Sequence, residues 1–213
     1  MLRYECISVG PLSTNCYLLI DVETSECSVV DPGGDAEDIS RTVKSLNIIP
    51  SRILLTHGHV DHMAGADILA EMFRIPIFVH ELDSEMLSDP DLNLSMLLGE
   101  KKVIKNFEVF KDNSSFNIGI NSINIYNTPG HTPGSSCFHF EDVMICGDLI
   151  FRDGVGRTDL PLGNEEKLKS SIKWLCESFQ NNLKIFPGHG EVTTLKSEIS
   201  SNYFLRRFLL SKE

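Results

Sequence analysis

The residues best suited to chemistry lie in one run, Thr56-His57-Gly58-His59-Val60-Asp61-His62. It directly follows the short apolar segment Arg52-Ile53-Leu54-Leu55-Thr56. His57 and His59 are two apart, so in extended chain they project to the same side. Asp61 and His62 come as the chain turns into a helix and can face a second point nearby, and Gly58 permits the tight path between them. Three further candidates each follow a strand-like segment and sit beside glycine: His131 in Pro129-Gly130-His131-Thr132-Pro133-Gly134, Asp148 in Cys146-Gly147-Asp148, and His189 in Pro187-Gly188-His189-Gly190. Taken singly, each reads as a turn residue. Taken with the first run they complete a set: His57, His59 and His131 for one metal, Asp61, His62 and His189 for a second, and Asp148 to bridge. Imidazole suits zinc and iron, and a bridging carboxylate suits a dinuclear site. Two divalent ions about 3.5–4 Å apart activate a water and polarise a carbonyl or phosphoryl oxygen. Zinc is the first expectation, with iron or manganese as alternatives. His80 and His139 are not needed by this set.

Such a site needs strands that end together. Tyr17–Asp21 and Cys27–Asp31 read as strands joined by a polar turn, stopped by Asp31-Pro32-Gly33-Gly34. Asp35 can cap a helix to about Leu46, with Ile39, Val43 and Leu46 on one face. Arg52–Thr56 and Ile77–His80 are further strands, and a helix runs from the histidine cluster to about Phe73. Residues 81–106 turn acidic and rich in Ser and Leu; they read as a helical excursion over the sheet, a candidate lid or substrate wall. Phe107–Asp148 alternates with period two. Asn164 can cap an amphipathic helix to about Phe179, Leu183–Phe186 is the last strand, and a helix over about Leu195–Leu210 closes the chain. Strands followed by helices in both halves favour an α/β sandwich, with helices covering two packed sheets.

The chain has 213 residues, 19 basic and 30 acidic side chains, and a formal net charge of −11. That length suits one domain over residues 1–213. The acidic balance argues against a nucleic-acid partner, because neutralising phosphates needs clustered Lys and Arg. It argues equally against docking on an anionic membrane. No apolar run is long enough to span a bilayer and the first residues lack a signal-peptide pattern, so a cytoplasmic protein is expected. The six cysteines form no C-x-x-C pair and read as small buried hydrophobes in a reducing compartment.

The five motif positions Asp31, His57–His62, His131, Asp148 and His189 together resemble the metallo-β-lactamase superfamily, over nearly the whole chain. The resemblance implies an αββα four-layer sandwich with the metals at one edge of the packed sheets. It also implies that Asp31 supports the site without binding metal. Pro129–Ser135, Gly147-Asp148-Leu149-Ile150-Phe151 and Gly156-Arg157-Thr158-Asp159-Leu160-Pro161 look like the short glyoxalase II-like hydrolases, relatives of hydroxyacylglutathione hydrolase. The implied activity is hydrolysis of a small anionic thioester by a metal-bridging hydroxide, with Asp61 taking the proton of the attacking water.

Arg157 is a candidate for binding a substrate carboxylate through its planar fork, or a structural partner of Asp153 or Asp159. The Gly-Arg-Thr-Asp stretch is also similar to persulfide dioxygenases of the same fold, in which His57, His131 and Asp148 would hold a single iron. Lactone or phosphodiester hydrolysis, and a non-catalytic metal-binding protein, carry less weight. Full-length glyoxalase II adds a C-terminal helical domain that contacts glutathione. Here 213 − 189 = 24 residues follow His189, so those contacts are not carried over.

Overall fold

The computed structural model describes residues 1–99, 101–180 and 182–210. Two six-stranded sheets form its centre. The first runs in the order β1 (Leu2–Val9), β2 (Thr14–Asp21), β3 (Glu26–Val30), β4 (Ile49–Leu54), β5 (Ile77–His80), β6 (Glu108–Phe110). β1, β2 and β3 pair antiparallel; β3 to β6 pair parallel. The parallel crossovers carry α1 (Ala36–Ser45), the short α2 (Val60–Met63) with α3 (Ala66–Phe73), and the excursion, which contains α4 (Ser84–Ser88) between two 3₁₀ turns.

The second sheet is built from β7 (Ser115–Ile118), β8 (Asn121–Asn127), β9 (Ser136–Phe140), β10 (Val143–Gly147), β13 (Lys184–Pro187) and β14 (Thr193–Thr194), in spatial order 14-13-10-9-8-7. A small hairpin, β11 (Ile150–Phe151) and β12 (Gly154–Val155), follows β10. α5 (Glu165–Ser178) then crosses to β13, and α6 (Leu195–Ser201) and α7 (Tyr203–Leu210) close the chain.

Side-chain alternation along the strands makes the layers. On β2, Tyr17 and Leu19 face the other sheet, where they meet Phe138, Ile145 and Phe186. Leu18 and Ile20 face the opposite way and pack with Ile39 and Val43 of α1 and Leu69 of α3. On the second sheet, Met144, Cys146 and Ile185 turn outward to Leu168, Ile172 and Leu175 of α5, Leu195 of α6 and Leu205 of α7. The result is the four-layer αββα sandwich expected from the motif pattern. Among the described residues, no helix is long and apolar enough to cross a membrane.

Several elements differ from the sequence reading. β1 precedes the first expected strand. It is an edge strand with only its two end residues, Leu2 and Val9, buried, so it shows little hydrophobic alternation. Asp35 occupies the N-cap position of α1 in a left-handed conformation, and its carboxylate accepts from Gly10 N instead of its own helix. The final helix is broken at Asn202, whose side-chain oxygen accepts from Phe204 N and Leu205 N and so starts α7 afresh.

The sheets are also tied at the end of β2. The Asp21 carboxylate accepts from Glu23 N and Thr24 N in its own turn, and from Ile120 N and Asn121 Nδ2 in the β7–β8 turn of the other sheet. The hydrogen bond from Thr24 N leads in holding this carboxyl below the usual carboxylate range. Its folded pKa lies below the unfolded value of about 3.9, so the stability it contributes is present above about pH 4 and is lost as pH falls further. Asp21→Asn is expected to lower the urea midpoint at pH 7 and to flatten its decline below about pH 4; an unchanged acid limb would count against this role.

Candidate metal centre

All seven groups of the expected set meet at one end of the sandwich, on the loops that leave β4, β8, β10 and β13 and on the short α2 that follows β4. Three overlapping groups of atoms lie within 4.8 Å of one another: those of His57, His59 and His131; of His57, His62 and Asp148; and of Asp61, His62 and His189. His59 Nδ1 and His131 Nε2 converge to 2.9 Å. Asp61 Oδ2 is 3.1 Å from His189 Nε2 and 3.6 Å from His62 Nε2. Asp148 sits between the two sides: one oxygen is 3.5 Å from His131 Nε2, and the other is 3.4 Å from His62 Nε2 and 3.8 Å from His189 Nε2. Gly188 is what lets the last loop close this tightly, since a Cβ there would stand 2.4 Å from Asp148 Oδ1 and 2.6 Å from His62 Cε1.

Four of the five imidazoles are locked from behind. His62 Nδ1 meets Asp31 Oδ2 at 2.9 Å, His131 Nδ1 the Arg157 carbonyl at 2.7 Å, His189 Nδ1 the Leu12 carbonyl at 3.1 Å, and His57 Nδ1 the Thr56 hydroxyl at 3.1 Å. An Nδ1–H donated outward leaves the Nε2 lone pair pointing into the site, as a metal ligand requires. Asp31 does more than orient His62. It also accepts from Thr56 N and Thr56 Oγ1, at 2.7 and 2.6 Å, so one buried carboxylate stands behind His57 and His62 together.

The residues fit a pair of cations on two counts. His57 Nε2, His62 Nε2 and Asp148 Oδ1 are buried and have no hydrogen-bond partner. Buried polar atoms are rarely left so without a ligand or ordered water. The charge pattern agrees. Burial, reinforced by the neighbouring histidines, pushes His57 well below its ordinary pKa, and burial beside His131 takes His59 to about 3. Burial raises Asp61 and Asp148, but the histidines facing them, His62 foremost, win and keep both carboxyls below the usual range. Burial likewise opposes charge on His62 and His189, yet the facing carboxylates prevail and raise both. Neutral imidazoles and ionised carboxylates are the forms that bind a metal, and on the His62 side a cation would displace a proton.

Arg157 lies at the edge of the site. Its backbone carbonyl fixes His131, while its exposed guanidinium makes a two-pronged pair with Asp159. The carbonyls of Leu12 and Arg157 have no sequence signature. Thr56 and Asp83 do have side chains that could have drawn notice. Asp83 is fully buried and accepts from Gly58 N, Thr132 Oγ1 and Gly134 N. Burial raises its carboxyl pKa, and those hydrogen bonds, led by Thr132, hold the rise in check. His80 is engaged elsewhere, with Asp112 and Leu82 N. The six cysteines are free, and Cys16, Cys27, Cys137 and Cys146 are buried.

With the fold and these distances established, the chain can be placed among known proteins. The model of the metallo-beta-lactamase superfamily matches residues 9–189, and the chain belongs to that superfamily. It is 35% identical to the probable metallo-hydrolase YqgX of Bacillus subtilis, across 98% of this chain and 100% of the relative. It is 33% identical to the hydroxyacylglutathione hydrolase GloC of Haemophilus influenzae, across 96% of this chain and 98% of that one. Among solved structures it is similar to BLEG-1, described as a B3 metallo-beta-lactamase, with a TM-score of 0.90 and 35% identity over 95% of this chain and 99% of the other. It is similar also to TTHA1623 in a di-iron-bound form, with a TM-score of 0.84 and 32% identity over 94% and 99%.

Proposed function

We propose that this superfamily member is a metal-dependent hydrolase of small anionic thioesters of the hydroxyacylglutathione type. The observation that carries the reading is the placement of the Asp148 carboxylate between two converging groups of ligand atoms. The likeness to GloC over nearly the full length of both chains supports the thioester class. His57, His59 and His131 would hold one cation, Asp61, His62 and His189 the other, with Asp148 shared. When bound, the pair would supply Lewis acidity, making a water nucleophilic at neutral pH and polarising the substrate carbonyl.

The chain's own groups do the rest. The outward hydrogen bonds to Asp31, Thr56, Arg157 and Leu12 keep the imidazoles in a single orientation, so little rearrangement is needed as charge develops on the carbonyl oxygen. Asp61, ionised and partly open to solvent, accepts the proton of the attacking water at its carboxylate. The leaving thiolate needs little acid help, because a thiol pKa of about 8.5 makes it stable near neutrality. Zinc suits this donor set, and the di-iron form of TTHA1623 makes iron the alternative to test.

A second reading is a persulfide dioxygenase using one iron on His57, His131 and Asp148. Asp61, His62 and His189 could hold a second cation, so metal content decides between the two readings. Protein purified without added metal is expected to hold near two metal ions per chain and to hydrolyse S-lactoylglutathione, with activity lost on chelation and restored by metal. One iron per chain, with oxygen uptake on glutathione persulfide, would establish the second reading instead. A β-lactam belongs in the same assay because of the likeness to BLEG-1.

A further inference from the structure

The excursion after β5 touches the histidine loops at three points. The Asp83 carboxylate accepts from Gly58 N at 3.0 Å, from Thr132 Oγ1 at 2.6 Å and from Gly134 N at 2.6 Å. Gly58 lies between His57 and His59, and Thr132 follows His131 directly. Met86 of α4 packs over Gly58 so closely that a Cβ there would stand 2.7 Å from the Met86 Cβ. The Asn93 carbonyl accepts from Val60 N, next to His59, at 2.8 Å.

The excursion is itself fastened. His80 Nδ1 accepts from Leu82 N where the chain leaves β5, Ile104 N donates to the Leu87 carbonyl, and Asn93 Nδ2 donates to the Lys102 carbonyl. Met86, Leu87 and Asn93 are buried. A segment anchored in this way and bonded to the backbone of the site is poorly suited to open and close as a lid.

We propose that Asp83 is a positioning residue that clamps the His57–His59 loop to the His131–Gly134 loop and so sets the spacing of the three-histidine cation site. The two loops leave different sheets. Among the described residues Asp83 alone bonds to both through one carboxylate, and its three donors fill it from both oxygens. An amide at this place would turn an N–H toward a backbone or hydroxyl donor, leaving a buried polar group unsatisfied and the loops free to part. The inference rests on the reading that His57, His59 and His131 hold a cation, and it predicts an effect confined to that site. Partners of this kind change metal affinity by about 10–100-fold.

The test separates the two sites using cobalt(II) alone. His189→Ala leaves the three-histidine site as the stronger one, and His59→Ala leaves the other. Cobalt affinity is measured by chelator competition, and its visible absorption reports the ligand geometry. Asp83→Asn is expected to lower affinity at least about tenfold and to shift the cobalt bands in the His189→Ala background, while changing affinity by no more than about twofold in the His59→Ala background. Equal losses in both backgrounds, or no loss in the first, overturn the clamp. If His189→Ala with Asp83 intact binds no cobalt, the two-cation reading fails and the clamp with it. Should Asp83→Asn not fold, Thr132→Val removes one of the three bonds. An affinity loss of about threefold in the His189→Ala background is then expected, and none would overturn the proposal.

Discussion

Asp148→Ala is expected to leave the protein with less than one metal ion per chain and to cut thioester hydrolysis by at least about 10³-fold. The size of the effect comes from position. Asp148 lies within 4 Å of His131 on one side and of His62 and His189 on the other. Its removal takes a ligand atom from both proposed cations and a negative charge from a cluster of imidazoles. The carboxylate that helps raise the pKa of His62 and His189 would attract a cation as it attracts a proton, and that attraction is lost with it. Metal content by emission spectroscopy and turnover of S-lactoylglutathione measure both halves. A fully loaded, fully active variant would remove Asp148 from the shared position.

Asp31→Asn is expected to act on stability and metal together. The carboxylate is buried and receives Thr56 N, Thr56 Oγ1 and His62 Nδ1. Asparagine tolerates the left-handed backbone at this position, where φ is 51°, so the substitution isolates the side chain. It turns an N–H toward groups that themselves donate. Breaking a buried pair of this kind costs about 3 kcal/mol. At about 2–4 °C per kcal/mol for a chain of this size, the metal-free protein should melt roughly 6–12 °C lower. His62 loses the acceptor that orients it, so affinity at the Asp61–His62–His189 site should fall by about 10–100-fold. Calorimetry of the metal-free variant and chelator competition check the two effects separately. Unchanged melting would mean that Thr56 and His62 find other partners.

What the sequence reveals of this site depends on how local each part is. His57 to His62 stand out because four potential ligands share six residues. His131, Asp148 and His189 stand out because each follows a strand end and adjoins glycine, which is the local cost of bringing a loop close to others. Their supports do not stand out. The Leu12 and Arg157 carbonyls belong to the backbone, and any residue would offer one. Asp83 lies in an acidic stretch with no periodic pattern, and its partners are up to 51 residues away. The fold follows the same rule. α5 was legible because Asn164 caps it and its apolar positions repeat; its Asn164 side chain does accept from Lys167 N. β1 was not, since an edge strand with solvent on much of both faces needs no alternation. Nor was the break at Asn202, where the pattern continues but a side chain takes over the backbone bonds.

The parallel pairing of β10 with β13 puts Gly188 N on the Gly147 carbonyl at 2.8 Å and so sets His189 beside Asp148. Between those two residues the chain must lay down the β11–β12 hairpin and all of α5. During synthesis, then, the three-histidine half is complete in sequence well before the half that needs His189. A metal ion could not template that second half early; it would enter a receptacle that β13 has already closed. The ion's place in the life of the protein would be that of a late lock on a finished fold, and a shortage of metal would leave folded, idle molecules in place of unfolded ones.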